Sequence, residues 1–110
     1  EYSYRYSRDG TTDESAGSGT AMSPWWTSPT DPTGDLFSVS YLFNFATEEK
    51  LMITYAMDNN NAGAATAPRR VEVVGKWANT SDTIDEIRCH DFGGGSGFDT
   101  GSNIASIGTN

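Results

Sequence analysis

The chain has 110 residues, seven of them basic and fifteen acidic, and a formal net charge of −8 at pH 7. This length supports one domain with a single modest core, and the acidic excess repels phosphate backbones and anionic lipid, so we expect neither a nucleic-acid nor a membrane partner. The one cysteine excludes an intrachain disulfide. Because residue 1 already lies in an alternating pattern, we expect residues 1–110 to be a single-domain region of a longer chain.

The N-terminal third begins with a strand pattern and continues as loop. Tyr2, Tyr4 and Tyr6 alternate with polar residues, which is the period of a strand with one aromatic face, and we expect that face in the core. Residues 8–20 are polar and small without any period, so they predict a loop. Residues 21–35 contain three prolines and predict at best a short edge strand followed by loop.

The strongest strand pattern spans residues 35–45. Its odd positions are all apolar and its even positions mostly polar, which predicts a strand with one buried face made of Phe37, Val39, Tyr41, Phe43 and Phe45. Residues 50–57 alternate again after a turn at 47–49. The two runs therefore predict a β-hairpin.

The C-terminal half predicts further strands separated by loops. Residues 59–68 read as an exposed loop, and residues 69–79 as a strand with Val71, Val73 and Trp77 on one face. Residues 83–89 predict an irregular strand, and residues 103–107 a closing strand after a glycine-rich turn at 93–97. With no amphipathic helix, this spacing predicts an antiparallel, jelly-roll-like β-sandwich of about seven to eight strands.

Motifs that suggest catalysis or metal binding have simpler structural explanations. Cys89 and His90 are adjacent, so on a strand they point to opposite faces, and one histidine with one cysteine cannot make a usual zinc site. Residues 91–93 spell the kinase tripeptide, but no other kinase motif accompanies it. Residues 93–97 lack the lysine of a phosphate-binding loop. We therefore expect no catalytic residue, no cofactor and no metal site.

Three alternatives stay open at the level of sequence. The acidic run at residues 9–14 has the oxygen ligands of a calcium site without the spacing of a calcium loop. Carboxylates such as Asp85 and Asp99 would suit a glycoside hydrolase only if they faced each other across a cleft. Residues 79–81 fit the N-glycosylation pattern, although a turn explains them equally well.

Aromatic residues give the best candidates for a contact surface. Trp25 and Trp26 form a pair in a loop-like setting, and aromatic side chains at a sandwich edge either anchor a protein partner or stack on sugar rings. Together with Tyr2 and Tyr4 they are the predicted interface or ligand-contact residues.

The C-terminal pattern resembles a module of tailed-phage virion proteins. The pattern is Val74-Gly75-Lys76-Trp77-x-Asn79-Thr80-Ser81-x-x-Ile84-x-x-Ile87, then a glycine-rich loop and Gly97-Phe98-Asp99-x-Gly101-Ser102-x-Ile104-x-x-Ile107-Gly108. It is similar to the ends of jelly-roll or sandwich domains in fibres, turrets and head-decoration proteins. The resemblance covers roughly residues 36–108 and implies no catalytic residue.

The sequence thus predicts a non-enzymatic structural protein on the surface of a virion, which acts by self-assembly. Expected partners are copies of itself, as a trimer, and other virion proteins. The alternative is a carbohydrate-binding or receptor-binding module that contacts a host surface glycan, and a hydrolase domain is a further rival.

Overall fold

The computed structural model describes residues 1–20, 35–59, 63–87 and 100–108. Within these ranges the chain forms five strands and no helix: β1 (Tyr2–Arg8), β2 (Thr12–Gly19), β3 (Leu36–Phe43), β4 (Lys50–Asp58) and β5 (Arg69–Trp77). They form one sheet in the order β2-β1-β5-β4-β3, and every neighbouring pair is antiparallel. The predicted all-β, antiparallel class is confirmed.

Strand β2 corrects the prediction of a loop over residues 8–20. Asp9 and Gly10 both have positive φ, 53° and 70°, and Thr11 N donates to Arg8 O at 3.0 Å. This is the backbone of a tight hairpin, for which Asp-Gly is a favoured pair. The loop prediction relied on the missing apolar period, but β2 lies at the edge of the sheet, where backbone pairing with β1 alone holds a polar strand.

The predicted hairpin of β3 and β4 is confirmed. Phe37 pairs with Met57, Tyr41 with Ile53 and Phe43 with Leu51, and Glu48 N donates to Phe45 O in the connecting turn at 3.2 Å. Strand β3 ends at Phe43.

The buried side of the sheet, called here the core face, centres on β5. Val71 and Val73 are 4% and 1% exposed, and with Tyr6 and Ala56 they form the hydrophobic core. The register places Val73 between Tyr6 of β1 and Thr54 of β4. The predicted strand with Val71 and Val73 on one face is confirmed, and the structure shows that this face is the buried one.

The prediction that the odd-numbered side of β3 is buried is wrong. Phe37 and Tyr41 are each 62% exposed, and Phe43 is 44% exposed. Alternation in sequence separates two faces, but it does not state which of them another layer covers. The even-numbered side of β3 is also largely exposed, with Leu36 at 44% and Leu42 at 37%, so in the described residues the covered part of the sheet is the core face of β1, β4 and β5.

The two C-terminal strand predictions are also wrong where the structure describes them. Residues 82–87 and 102–108 are neither strand nor helix. Their apolar residues are too sparse to sustain a two-residue period. A side chain instead anchors the first segment: Asn44 Nδ2 donates to Ile84 O at 2.8 Å, and Ile84 N donates to Asn44 Oδ1 at 2.7 Å.

Candidate functional site

The feature that stands out is an exposed apolar surface on the side of the sheet opposite the core face. Cross-strand pairing puts alternate residues of β3, β4 and β5 side by side on it. We call this surface the open face, and it consists of Phe37, Val39, Tyr41, Phe43, Leu51, Ile53, Tyr55, Met57 and Val74.

Eight of the nine open-face side chains are exposed, and Ile53 is half-buried. The exposed fraction ranges from 37% at Val39 to 62% at Phe37 and Tyr41. The positions on β3 and β4 include no charged residue and no polar group other than two tyrosine hydroxyls. Single exposed apolar side chains are ordinary on protein surfaces, but a contiguous patch of this kind is uncommon on a folded domain.

A shallow apolar groove lies on this side of the sheet, with a volume of about 430 Å³. The open-face side chains Tyr41, Phe43, Leu51, Ile53 and Val74 contribute to its lining. Just beyond β3, the Phe45 ring packs against that of Phe43, with ring centroids 4.8 Å apart and a tilt of 52°. The groove carries no hydrogen-bonding side chain except the tyrosine, so it suits apolar contact.

Charged residues border the open face on β5, β1 and β2. Lys76 Nζ lies 3.0 Å from Glu49 Oε2, and Arg5 Nη1 lies 3.7 Å from Asp13 Oδ2. The register places five charged residues on this side of the sheet, three basic and two acidic: Arg5, Asp13, Arg70, Glu72 and Lys76. With Glu49, which pairs with Lys76, the border has three basic and three acidic residues and no net charge, whereas the whole chain has −8.

The predicted contact residues do not belong to the open face where the structure describes them. Tyr2 stacks on Trp77, with ring centroids 6.0 Å apart, and Tyr4 stacks on Tyr6 at 6.5 Å. Both tyrosines are half-buried and lie on the core side, where Tyr4 packs against the core. Trp25 and Trp26 lie outside the described residues.

The carboxylates of the acidic run at residues 9–14 contact other groups of the sheet. Asp9 Oδ1 accepts from Arg70 N at 2.8 Å, Asp13 faces Arg5, and Glu14 accepts from the Tyr6 hydroxyl. No group of three or more potential metal ligands occurs in the part of the chain that the structure describes. Cys89, His90, Asp99 and the glycine-rich turn lie outside it, whereas Asp85 is exposed.

The hydrogen bond to Glu14 also changes the titration of Tyr6. Ionising the phenol would remove the donated proton and place a second negative charge beside the carboxylate. The pKa of Tyr6 is therefore raised above its ordinary value of 10, first by this hydrogen bond and then by burial.

Asn79 is engaged in a local turn. Its Oδ1 accepts from the backbone N of Ser81 at 2.7 Å and of Asp82 at 3.0 Å, while its Nδ2 donates to Asp82 Oδ2 at 2.8 Å. This arrangement supports the turn explanation for residues 79–81.

Lys50 is a buried charge that the sequence alone does not single out. It is 1% exposed, and its Nζ donates to Glu48 O at 2.8 Å, Asn79 O at 2.7 Å and Ala46 O at 3.3 Å, with the Trp77 ring centroid 5.9 Å away. All three donor positions of the ammonium are used. Lys50 thus ties the β3–β4 turn to the chain that leaves β5, which is a structural role.

No protein-family model, curated protein or solved structure matches this chain. No helix long and apolar enough to cross a membrane occurs among the described residues. The geometry of the open face is therefore the observation that bears most directly on function.

Proposed function

We propose that this chain is a non-enzymatic structural module that acts by self-assembly, in a virion. The observation that carries the proposal is the open face. Within the described part of the chain, eight of the nine neighbouring open-face side chains are exposed, and a folded domain rarely leaves so contiguous an apolar patch without a partner. An assembly surface accounts for this directly, because burial of apolar area is the main favourable term in protein association.

The size of the open face fits a protein contact. Since an aromatic side chain offers roughly 150–250 Å² when fully exposed and aliphatic ones somewhat less, the exposed fractions correspond to roughly 700 Å² of surface. A specific interface of standard size buries roughly 800 Å² on each partner. The open face alone supplies most of that area.

The placement of charges supports a structural role in preference to catalysis. Arg69 Nε donates to both carboxylate oxygens of Asp58, at 2.8 and 3.1 Å, and Lys50 is satisfied by backbone carbonyls. The buried charges Lys50 and Asp58, and the half-buried Arg69, each have a partner within the fold. None of them is directed towards the open face.

The virion setting is supported by the resemblance of roughly residues 36–108 to phage structural modules. In that setting the sheet described above is one layer of a sandwich, and the second layer, which packs on the open face, comes from another chain. Sheets in a sandwich pack about 10 Å apart through their apolar faces. The proposed partners are copies of the chain and other virion proteins.

Sedimentation velocity of the 110-residue chain tests self-assembly. We expect a defined oligomer whose population increases with protein concentration. A monodisperse monomer at tens of micromolar would contradict the proposal. Loading the chain with excess Mg²⁺, Ca²⁺ or Zn²⁺ and assaying polysaccharide hydrolysis tests the non-enzymatic part, for which we expect no turnover.

A carbohydrate-binding module is the second candidate, and two exposed rings favour it. Tyr41 and Tyr55 are diagonal neighbours on the open face, and Glu72 lies opposite Tyr55 on β5. Rings of this kind stack on sugars, and a nearby carboxylate accepts bonds from sugar hydroxyls. A glycan array tests this: binding that is lost in Tyr41→Ala and Tyr55→Ala would favour this candidate over self-assembly.

A further inference from the structure

We infer that the partner of the open face is a second copy of the same chain, packed face to face so that two five-stranded sheets form one sandwich between them. This inference rests on the proposed self-assembly and names its surface and its geometry. The two-fold contact is isologous, which means that the same patch is buried on both copies.

The exposed area of the open face matches what a stable pair of copies buries. Two copies together remove roughly 1,400 Å² from water, a value inside the range of roughly 1,200–2,000 Å² for stable specific interfaces. A small ligand in the shallow groove would cover only the part near Tyr41, Phe43 and Leu51. Phe37 and Met57, which are 62% and 53% exposed, would stay in water.

The charges around the open face suit a second copy of the same chain. The open face has no charged residue, so its centre selects neither an acidic nor a basic partner. Its border has both signs, with Glu72 between Arg70 and Lys76 along β5. A border of mixed sign is self-complementary, since a two-fold rotation can bring the basic residues of one copy near the acidic residue of the other.

The extended shape of the open face also suits a second copy. An extended sheet face requires a partner of similar extent and similarly apolar character, and sheet-on-sheet packing with interdigitated side chains meets that requirement. The open face of a second copy has both properties by construction. A two-fold pair has twice the chain mass of 11.9 kDa, which separates it from the trimer that the sequence leads us to expect.

Two adjacent substitutions on β3 test the contact. Phe37 is on the open face, and Leu36 is 44% exposed on the other side of the same edge strand. We expect Phe37→Lys to raise the dissociation constant of the pair by about thirty-fold or more, as for an aromatic anchor of an interface. Leu36→Lys, the matched control, should leave it within about three-fold.

Sedimentation velocity and circular dichroism give the readouts for both variants and the unmodified chain. Because Phe37 and Tyr41 are exposed, their lysine variants should keep the far-ultraviolet spectrum. Tyr41→Lys is a second variant with the same expected loss. If the copies instead paired through the edge of β3, Leu36→Lys and Phe37→Lys would both have small effects on the dissociation constant. That result would overturn the inference.

The outcomes also separate this inference from the proposed function. A chain that stays monomeric at every concentration overturns both. An oligomer that tolerates Phe37→Lys and Tyr41→Lys, or one with three copies, overturns the face-to-face pair and leaves self-assembly intact.

A mixing experiment identifies the partner as a copy of the chain. Tyr55→Lys and Tyr55→Glu should each be monomeric when alone, and their equimolar mixture should recover a pair of twice the chain mass. Tyr55 lies on β4, the middle strand of the open face, so a two-fold axis through the centre of that face brings residue 55 of both copies together, and opposite charges then meet across the contact. A mixture that stays monomeric while the unmodified chain pairs would contradict the geometry.

Discussion

The charged and polar side chains of β4 on the core face are buried, whereas most apolar side chains of the open face are exposed. On the core face, Tyr6 is 7% exposed and Val73 is 1% exposed, yet the same face buries Lys50, Thr54 and Asp58. The open face has no charged residue on β3 or β4, and Tyr55 is 47% exposed. The apolar side chains of the open face are therefore in contact with water, although charged residues border them on β5, β1 and β2.

This difference shows that burial is determined by what covers a face and by whether polar groups there find partners. The core face tolerates polar residues because each is satisfied: Thr54 shares a 2.7 Å hydrogen bond with Ser40, and Asp58 pairs with Arg69 at 2.8 Å. The open face needs no such partners and gains only from being covered. It has the character expected of a surface that is completed by association.

The largest expected effect compares tyrosines on the two faces. Tyr6→Ala removes a core ring and should lower the free energy of unfolding by about 3–5 kcal/mol. Tyr55→Ala should lower it by less than about 1 kcal/mol, since that ring is half in water. Urea unfolding at a concentration where the chain is monomeric measures both. Similar losses at the two positions would mean that the open face is covered within the monomer.

A second prediction concerns the buried ammonium of the core face. Lys50→Met keeps the length of the side chain but removes the donor from three backbone carbonyls, so we expect a loss of about 2–3 kcal/mol. Lys76→Met, at an exposed ion pair, is the matched control and should change stability by less than about 1 kcal/mol. Chemical denaturation distinguishes them, and a tolerated Lys50→Met would show that the ammonium is not required.

A third prediction tests the anchor of the segment that follows β5. Asn44→Ala removes both hydrogen bonds to Ile84 and should destabilise the chain by about 1–2 kcal/mol. Hydrogen exchange at the Ile84 amide should become faster. Asn103→Ala, at an exposed position, is the control and should stay within about 0.5 kcal/mol. Unchanged exchange at Ile84 would argue against the anchor.

The smallest expected effect is a pH dependence of the unfolding free energy that arises from Tyr6 on the core face. The folded-state pKa of Tyr6 lies above its unfolded value of about 10, so the neutral phenol stabilises the fold below pH 10, and this stabilisation is lost as the pH rises through the folded-state pKa. Tyr6→Phe should therefore show a shallower decline of the unfolding free energy above pH 10. Parallel declines in the two proteins would contradict the assignment.

The fold was predictable where apolar alternation is strong. The β3–β4 hairpin and β5 follow from it, because their side chains separate cleanly onto two faces. Strand β2 was not predicted, since its pairing is made by backbone groups that leave no apolar period, although Asp9-Gly10 is a hairpin signal that could have revealed it.

The candidate site was predictable only in part. Alternation placed Phe37, Tyr41 and Phe43 on one face, but no sequence pattern states whether that face is covered by the same chain or by another. Nor could Lys50 be identified, because its burial depends on carbonyls from residues distant in sequence, such as Asn79. Predicting these features requires knowledge of the packed structure.

Covalent footprinting of tyrosines is the most direct test of the central claim that the open face is exposed in one chain and covered by a second. The chain would be labelled at a dilution where it is monomeric and at a concentration where it associates, and the modified residues read by mass spectrometry. We predict that Tyr41 and Tyr55 are reactive in the monomer and protected in the oligomer, while Tyr6 is protected in both. Tyr41 and Tyr55 that are already protected in the monomer, or that stay reactive in the oligomer, would contradict the account.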